Sequence, residues 1–296
     1  MFHRDFMDYH QDRFEDHSLM VYKNDSIYAL LPANKRGDTI YSHQGLTYGA
    51  FILQEDAKLL ESFEAFKCML EYLHSEGIVK LDIRLIPTIY NSLPSDELTY
   101  FMFRSGAQLI KRDVMMVIDY QNQLPFKKNR REGINKAKRN GLEVRVDDDL
   151  EAFWDKILIP NLSERYKTTP VHSLEEIKLL ASRFPKNIRQ VNVYKGDHIV
   201  AGTTVFLTKN TVHPQYVSGN TDKNAYGSLD LLYHFVINEF KTGRRFFDFN
   251  TSSEENGRVL NQGLIFWKEG SGARPFTFDN YSVDTSVFKT LEIPLI

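Results

Sequence analysis

Between Leu59 and Leu73 the apolar residues return at helical spacing: Leu59, Leu60, Phe63, Phe66, Met69, Leu70 and Leu73. An α-helix gathers such positions onto one stripe, so the pattern predicts a helix over 55–75, with Gly77 placed to cap its C-terminus. The period then changes. Val79, Leu81, Ile83 and Leu85 alternate with Lys80, Asp82 and Arg84 until Pro87, which predicts a strand buried on one face. A second helix is expected near 95–105 and a strand over 112–120, and Pro125 marks a break.

Beyond the break the alternation of helix-like and strand-like pieces resumes. A basic segment over 127–139 closes on Gly141, and Asp147, Asp148 and Asp149 precede a helix carrying Phe153, Trp154, Ile157 and Leu158. Ser173 and Glu176 stand at capping-box spacing ahead of Ile177, Leu179 and Leu180. Strands are expected over 189–194, 199–207 and 211–218. A helix capped by Ser228 and carrying Leu229, Leu231, Leu232, Phe235, Val236 and Phe240 follows, and then a strand over 245–249. The whole reads as mixed α/β.

One stretch is echoed. Val21-Tyr22-Lys23-Asn24-Asp25-Ser26-Ile27 returns as Val193-Tyr194-Lys195-Gly196-Asp197-His198-Ile199, each with a turn-forming pair between strand-forming flanks. Shared hairpin chemistry alone would produce this. The order downstream repeats as well, with a long amphipathic helix and then a strand in both halves, so two copies of one α/β unit are expected. The first covers 1–123 and the second 124–296, with 276–296 able to return to the first.

Composition narrows the function classes. The 296 residues are 42% hydrophobic, which supports sizeable cores, and 37 basic against 39 acidic residues give a net charge of -2. That balance argues against a DNA-binding surface, and any polyanion site must be local. The lone cysteine, Cys68, has no partner for a disulfide and no ligand at metal-binding spacing, so a reducing compartment and no metal are expected. No apolar run reaches membrane-spanning length and the N-terminus lacks the apolar core of a signal peptide, so the expected location is the cytoplasm, without integral membrane association.

Local chemistry is concentrated in a few places. Lys127, Lys128, Arg130, Arg131, Lys136, Lys138 and Arg139 share a helix with only Glu132 opposing them, which gives either a solvated face or a phosphate-facing one. Gly227 and Ser228 open a helix whose free N–H groups suit an anion, although Asp230 in its first turn would compete. Asp248-Phe249-Asn250-Thr251-Ser252 ends a strand in polar groups, making Asp248 a candidate general base; His213 and Tyr216 are alternatives beside it. Signatures such as GxSxG, Walker A, HExxH and GxGxxG are missing. Direct attack on an activated acyl donor needs only positioning, a proton acceptor and oxyanion stabilisation, and leaves weak motifs of this kind.

Four stretches together resemble the Fem-type branch of the GNAT acyltransferases, the peptidoglycan-bridge aminoacyltransferase-like proteins. They are the basic run from Lys128 to Val144; Ala201-Gly202-Thr203-Thr204 with the strand ending Tyr216-Val217-Ser218; Gly227 through Phe249; and Trp267-Lys268-Glu269-Gly270-Ser271-Gly272. The last is similar to the family's Phe-Lys-x-Gly-Phe-Gly motif, with Trp267 for the first Phe and Ser271 for the second. Asn261 falls where many GNAT proteins carry an Asn near the start of their last helix. The resemblance implies two tandem GNAT-like domains and a role for Lys268 in binding phosphate or stabilising negative charge on the acyl carbonyl. It also makes Ser42, His43, Gln44 and Tyr48 in the first copy the candidates for acceptor contact.

The resemblance implies transfer of an acyl or aminoacyl group, from acyl-CoA or aminoacyl-tRNA, to an amine or hydroxyl of a small molecule, a sugar, a cell-envelope precursor or a peptide. Lys268, Asp248 and Tyr216 would act at the reacting centre, and Arg130, Arg131, Lys138, Gly227 and Ser228 would hold donor or phosphate. Two departures bear on the donor. Only Gly227 lies in Asn220–Ser228, where a CoA loop has closely spaced glycines, and no sustained heptad stretch supplies a coiled-coil arm for tRNA. The alternative is a non-catalytic GNAT-fold module binding a phosphorylated ligand or a protein partner.

Overall fold

The structure, a computed structural model, describes residues 2–7 and 13–296, with Tyr166 by its main chain only. The chain forms two compact units. The first holds Met1–Asp113, Glu255–Arg258 and Thr277–Ile296, and the second holds Val114–Glu254 and Val259–Phe276.

In the first unit a short helix α1 (Arg4–Met7) precedes the strands β1 (Glu15–Asp16), β2 (Leu19–Lys23), β3 (Ser26–Leu31), β4 (Asn34–Arg36), β5 (Thr39–Tyr41) and β6 (Ile52–Leu53). Helix α2 (Leu59–Ser75), strand β7 (Lys80–Arg84) and helix α3 (Glu97–Arg104) follow. β2, β3 and β6 make a small antiparallel sheet. A second sheet runs β1-β4-β5-β7, with β5 parallel to β7 and the C-terminal strand Arg274–Asp284 antiparallel on its far side. The α2 stripe of Phe63, Phe66, Met69, Leu70 and Leu73 packs into one core with Ile40, Leu81, Ile83 and Val283. Alternation along β7 therefore sends Asp82 and Arg84 to the other face of the sheet.

The second unit takes the Val114–Asp119 part of strand β8 (Gln108–Asp119). Helix α4 (Lys128–Arg139) and strand β9 (Leu142–Arg145) follow, and then a helical run α5 from Leu150 to Tyr166 in which α-helical and π-helical turns alternate. Helix α6 (Leu174–Arg183), strands β10 (Ile188–Lys195), β11 (His198–Leu207) and β12 (Thr211–Gly219), helix α7 (Ser228–Glu239), strand β13 (Phe246–Thr251) and helix α8 (Gln262–Gly270) complete it. The order is β8-β13-β12-β11-β10-β9, and β12–β13 is the parallel pair. Ile134 and Ala137 of α4 and Leu231, Leu232, Val236 and Ile237 of α7 fill the core against Val191, Val193, Ala201, Val205, Val212 and Phe247.

The fold agrees with the mixed α/β expectation element by element. α2 begins at Leu59 rather than near Glu55, because the polar residues ahead of it have no buried face to join. Ser173 and Glu176 make both halves of a capping box. The echoed segments are both hairpins, and each shifts register by a bulge at the same point, between Val21 and Tyr22 and between Val193 and Tyr194. The expected N-cap at Ser228 is corrected. Gly227, with φ +72°, holds the cap position, and the Ser228 hydroxyl is buried without a hydrogen-bond partner. A side chain at Gly227 would also meet the Gly133 carbonyl of α4 at 2.3 Å, so only glycine allows the two helices their approach.

Candidate active site

The parallel strands of the second unit separate almost at once. Only Thr211–Phe246 and Val212–Phe247 are paired, yet β12 continues along β11 and β13 along β8. The next residues on the two strands, His213 and Asp248, face each other across the parting, with His213 Nδ1 3.0 Å from Asp248 Oδ2. Both are buried. The other carboxylate oxygen accepts the Asn250 N–H at 2.7 Å, so Asp248 is fixed on both sides. His213 Nε2 lies 2.9 Å from the Gln215 side-chain oxygen. Because a side-chain amide can offer either oxygen or nitrogen, Gln215 is able to accompany both the charged and the neutral ring. His213 and Asp248 thus form one buried hydrogen-bonded pair, a juxtaposition that sequence left open.

Lys268 reaches the end of the same strand from α8. Asn261, the N-cap of that helix, accepts the Leu264 N–H and sets its start. Lys268 Nζ is buried and donates to Asn250 O at 3.0 Å, Thr251 O at 2.8 Å and Ser252 Oγ at 2.9 Å. Those three acceptors use all three of its N–H donors. Burial pushes its pKa down to about 8, against the pull of the Asp248 carboxylate. The ammonium thus braces a strand end in which Asn250 has φ +67°, and a fourth contact would require one of these three to be exchanged. Ser252 is the partner most easily exchanged, because a hydroxyl can turn away where a strand carbonyl cannot.

The start of α7 is closed by the chain's own groups. Arg130 Nη1 of α4 lies 2.7 Å from Asp230 Oδ1, and the Trp267 indole N–H donates to the same oxygen at 3.1 Å. Burial raises the Asp230 pKa, while Arg130 and Trp267 act in the opposite direction. Arg130 is therefore spent on a half-buried ion pair rather than on a free phosphate surface. Arg131 donates to the Phe126 carbonyl at 2.9 Å and stands, like Lys138, on the outer face of α4. Gly227 and Ser228 have the packing roles described above.

Tyr216 is linked to the His213–Asp248 pair through Gln215, whose side chain bonds both His213 and the Tyr216 hydroxyl. This hydroxyl is also hydrogen-bonded to His172 Nδ1 and accepts the His172 N–H at 3.3 Å, and the Tyr216 ring meets Trp154 edge-on at 4.8 Å. Burial pushes this phenol up to about 12. His172 was not singled out by sequence, because an isolated histidine in a loop carries no pattern.

In the first unit, Ser42, His43 and Gln44 line a cavity of about 170 Å³ with Tyr41, Asp82 and Arg84. Ser42 Oγ accepts the Arg84 N–H at 2.8 Å, and Gln44 exchanges two hydrogen bonds with Asn34. Tyr48 lies apart from the lining, buried against Tyr90 with ring centres 4.7 Å apart. Asp82 and Arg84 were missed because charged residues alternating along a strand read as its solvent face.

Residues 126–256 match the acetyltransferase (GNAT) domain family. No curated protein matches the chain in sequence. Among solved structures, the chain is similar to FemX (TM-score 0.64, 11% identity, 96% of this chain and 92% of that one). It is similar to L-PGS from Bacillus licheniformis (TM-score 0.60, 14% identity, 94% and 90%). A tandem GNAT protein from the clavulanic acid biosynthesis pathway also matches (TM-score 0.50, 9% identity, 96% and 88%). At such identities the likeness is one of fold. Among the described residues no helix is long and apolar enough to cross a membrane. The chain is therefore a mixed α/β protein that shares its fold with FemX and with a tandem GNAT protein, and its residues 126–256 match the acetyltransferase (GNAT) domain family.

Proposed function

We propose that the protein is an acyltransferase of Fem type, moving an acyl or aminoacyl group from an activated donor to an amine or hydroxyl of a small molecule or cell-envelope precursor. The observation that carries the reading is the parting of β12 and β13, with a His213–Asp248 pair at the fork and the Lys268 ammonium at the end of β13. His213, oriented by Asp248, accepts the proton of the attacking amine or hydroxyl. Lys268 transfers one donor from Ser252 Oγ to the developing carbonyl oxyanion, a contact stronger in the transition state than in the ground state. Tyr216, packed with His172 and Trp154 and bonded by Gln215, supports His213 from behind rather than meeting the substrate.

The closed start of α7 favours aminoacyl-tRNA over acyl-CoA as donor. A pyrophosphate there would face the Asp230 carboxylate and would have to displace Arg130 and Trp267. The exposed basic groups of α4, among them Arg131 and Lys138, suit a nucleic-acid backbone instead. Ser42, His43 and Gln44 contact the acceptor. The test is single-turnover transfer from a panel of aminoacyl-tRNAs and acyl-CoAs with Lys268→Ala alongside. Loss of about 100- to 1000-fold in rate is expected for a group of this kind. Full turnover by the variant would sink the assignment. Tight ligand binding with no transfer from any donor would point instead to a binding module, a reading that the missing CoA loop also favours.

A further inference from the structure

Asp82 in the first unit has a side-chain oxygen that is buried and bonded to nothing. Its Oδ1 is buried without a hydrogen-bond partner, and among the described residues no ion pair reaches its carboxylate. The residue stands on β7 on the face turned away from the core, opposite Tyr41 of β5 and Ser282 of the C-terminal strand. Arg84 follows two positions on, on the same face, roughly 7 Å along the strand. The two opposite charges do not neutralise each other. The guanidinium turns to the loop instead, where Nη1 donates to Leu46 O at 2.9 Å and Thr47 O at 3.2 Å. The Asp113 carboxylate also acts on this guanidinium, and Arg84 lines the same cavity as Asp82.

A buried carboxylate oxygen left without a donor is costly, and folded chains keep such a group where something else supplies the donor. The cavity, about 170 Å³, is well below the roughly 300–1,000 Å³ of sites for drug-sized ligands, so its occupant is small. The polar groups around it are complementary to two opposite charges held close together: an acceptor in Asp82, a cation in Arg84, and the amides of Gln44 and Asn280 at the sides.

We infer that this cavity binds a small zwitterion, its ammonium group on Asp82 and its carboxylate or phosphate on Arg84, such as a free α-amino acid or an aminoethyl phosphate. The inference deepens the reading of Ser42, His43 and Gln44 as acceptor contacts, and rests on that reading only for the use made of the ligand. No group is transferred in the binding step itself.

The experiment is calorimetric titration of the full chain with L-alanine and with phosphoethanolamine, using propylamine and propionate as singly charged controls. A saturable signal is expected for one zwitterion, with the controls binding at least tenfold more weakly; alanine marks a free amino acid as the source, and phosphoethanolamine a lipid headgroup. Asp82→Asn, nearly isosteric, should weaken zwitterion binding about 10- to 100-fold while leaving the response to propionate in place. Its melting temperature without ligand should equal that of the wild type or exceed it by a few degrees, as expected when an unpartnered charge is removed. Should this variant fail to fold, Asp82→Glu keeps the charge and should keep binding. Lys268→Ala should bind the zwitterion with unchanged Kd, so failure of transfer and failure of binding are read separately. Absence of binding by either zwitterion at millimolar concentration, or unchanged affinity in Asp82→Asn, would overturn the proposal.

Discussion

Two carboxylates in equivalent places meet opposite fates. Asp82 sits between Leu81 and Ile83 on β7 of the first unit, and Asp248 sits between Phe247 and Phe249 on β13 of the second. Both strands follow a long amphipathic helix, have a parallel neighbour, and send their apolar residues to the core and their aspartate to the other face. Asp248 is fully engaged by His213 and Asn250, whereas Asp82 Oδ1 has no partner. The first turns of the helices differ likewise. Glu61 of α2 pairs with Lys23 at the surface at 2.7 Å, while Asp230 of α7 pairs with Arg130 where both side chains are largely covered. Near the fork the carboxylates of one unit are satisfied internally, whereas on the matching strand of the other Asp82 Oδ1 is left without a partner. Two strands of like placement can thus differ in character through the partners of their carboxylates alone.

The helix pair gives the largest expected contrast. Asp230→Ala leaves Arg130 buried and uncompensated, which should cost about 3–5 kcal/mol of unfolding free energy. Glu61→Ala removes an exposed pair and should cost under about 1 kcal/mol. Chemical denaturation of both variants measures the difference, and equal effects would dissolve the contrast.

The second contrast is in pH. Lys268 is lowered by burial from 10.5 to about 8, so between those values the unfolded chain binds more protons than the folded one. This contribution to stability is therefore largest above about pH 10.5 and is lost as the pH falls through about 8. Its full size is at most about 3 kcal/mol at 1.36 kcal/mol per pKa unit. On the role proposed for the ammonium, transfer should fall as the pH rises through about 8, where stability begins to rise. A denaturation series from pH 7 to 11 should show the slope in the wild type and lose it in Lys268→Met.

The smallest effect is the sharpest test of the comparison. Asp248→Asn weakens charge-assisted hydrogen bonds and should cost about 1.5–3 kcal/mol, whereas Asp82→Asn should cost nothing or stabilise slightly. Paired thermal melts decide it, and matching signs would mean that the two strands are not functional counterparts.

Much of the architecture was legible because it is written in local period. The α2 stripe, the alternation along β7, the Ser173–Glu176 box and the echoed hairpins each need only neighbours in sequence. Asn261 was placed by resemblance and is an N-cap in fact. The site was less legible, because its partners are far apart along the chain. Arg130 and Asp230 are separated by 100 positions, so a basic helix gave no sign that its most buried arginine was already engaged. Lys268 was singled out by resemblance, but nothing near it in sequence announces the strand-end carbonyls it holds. Ser228 has the composition of an N-cap, but the close approach at Gly133 gives that position to Gly227.

The order in which the two units are completed has a consequence for synthesis. The first unit begins before the second but needs Thr277–Ile296, which are made after every residue of the second. At about 5–20 residues per second, the stretch from Val114 to Phe276 takes roughly 8–30 s to translate. Throughout that interval β7 lacks the strand that later covers its far edge, while the unit carrying His213, Asp248 and Lys268 has all its parts as soon as Phe276 leaves the ribosome. A ribosome that stops early would therefore release a chain with the fork intact and an open sheet edge on the other unit, the kind of edge that recruits chaperones or aggregates.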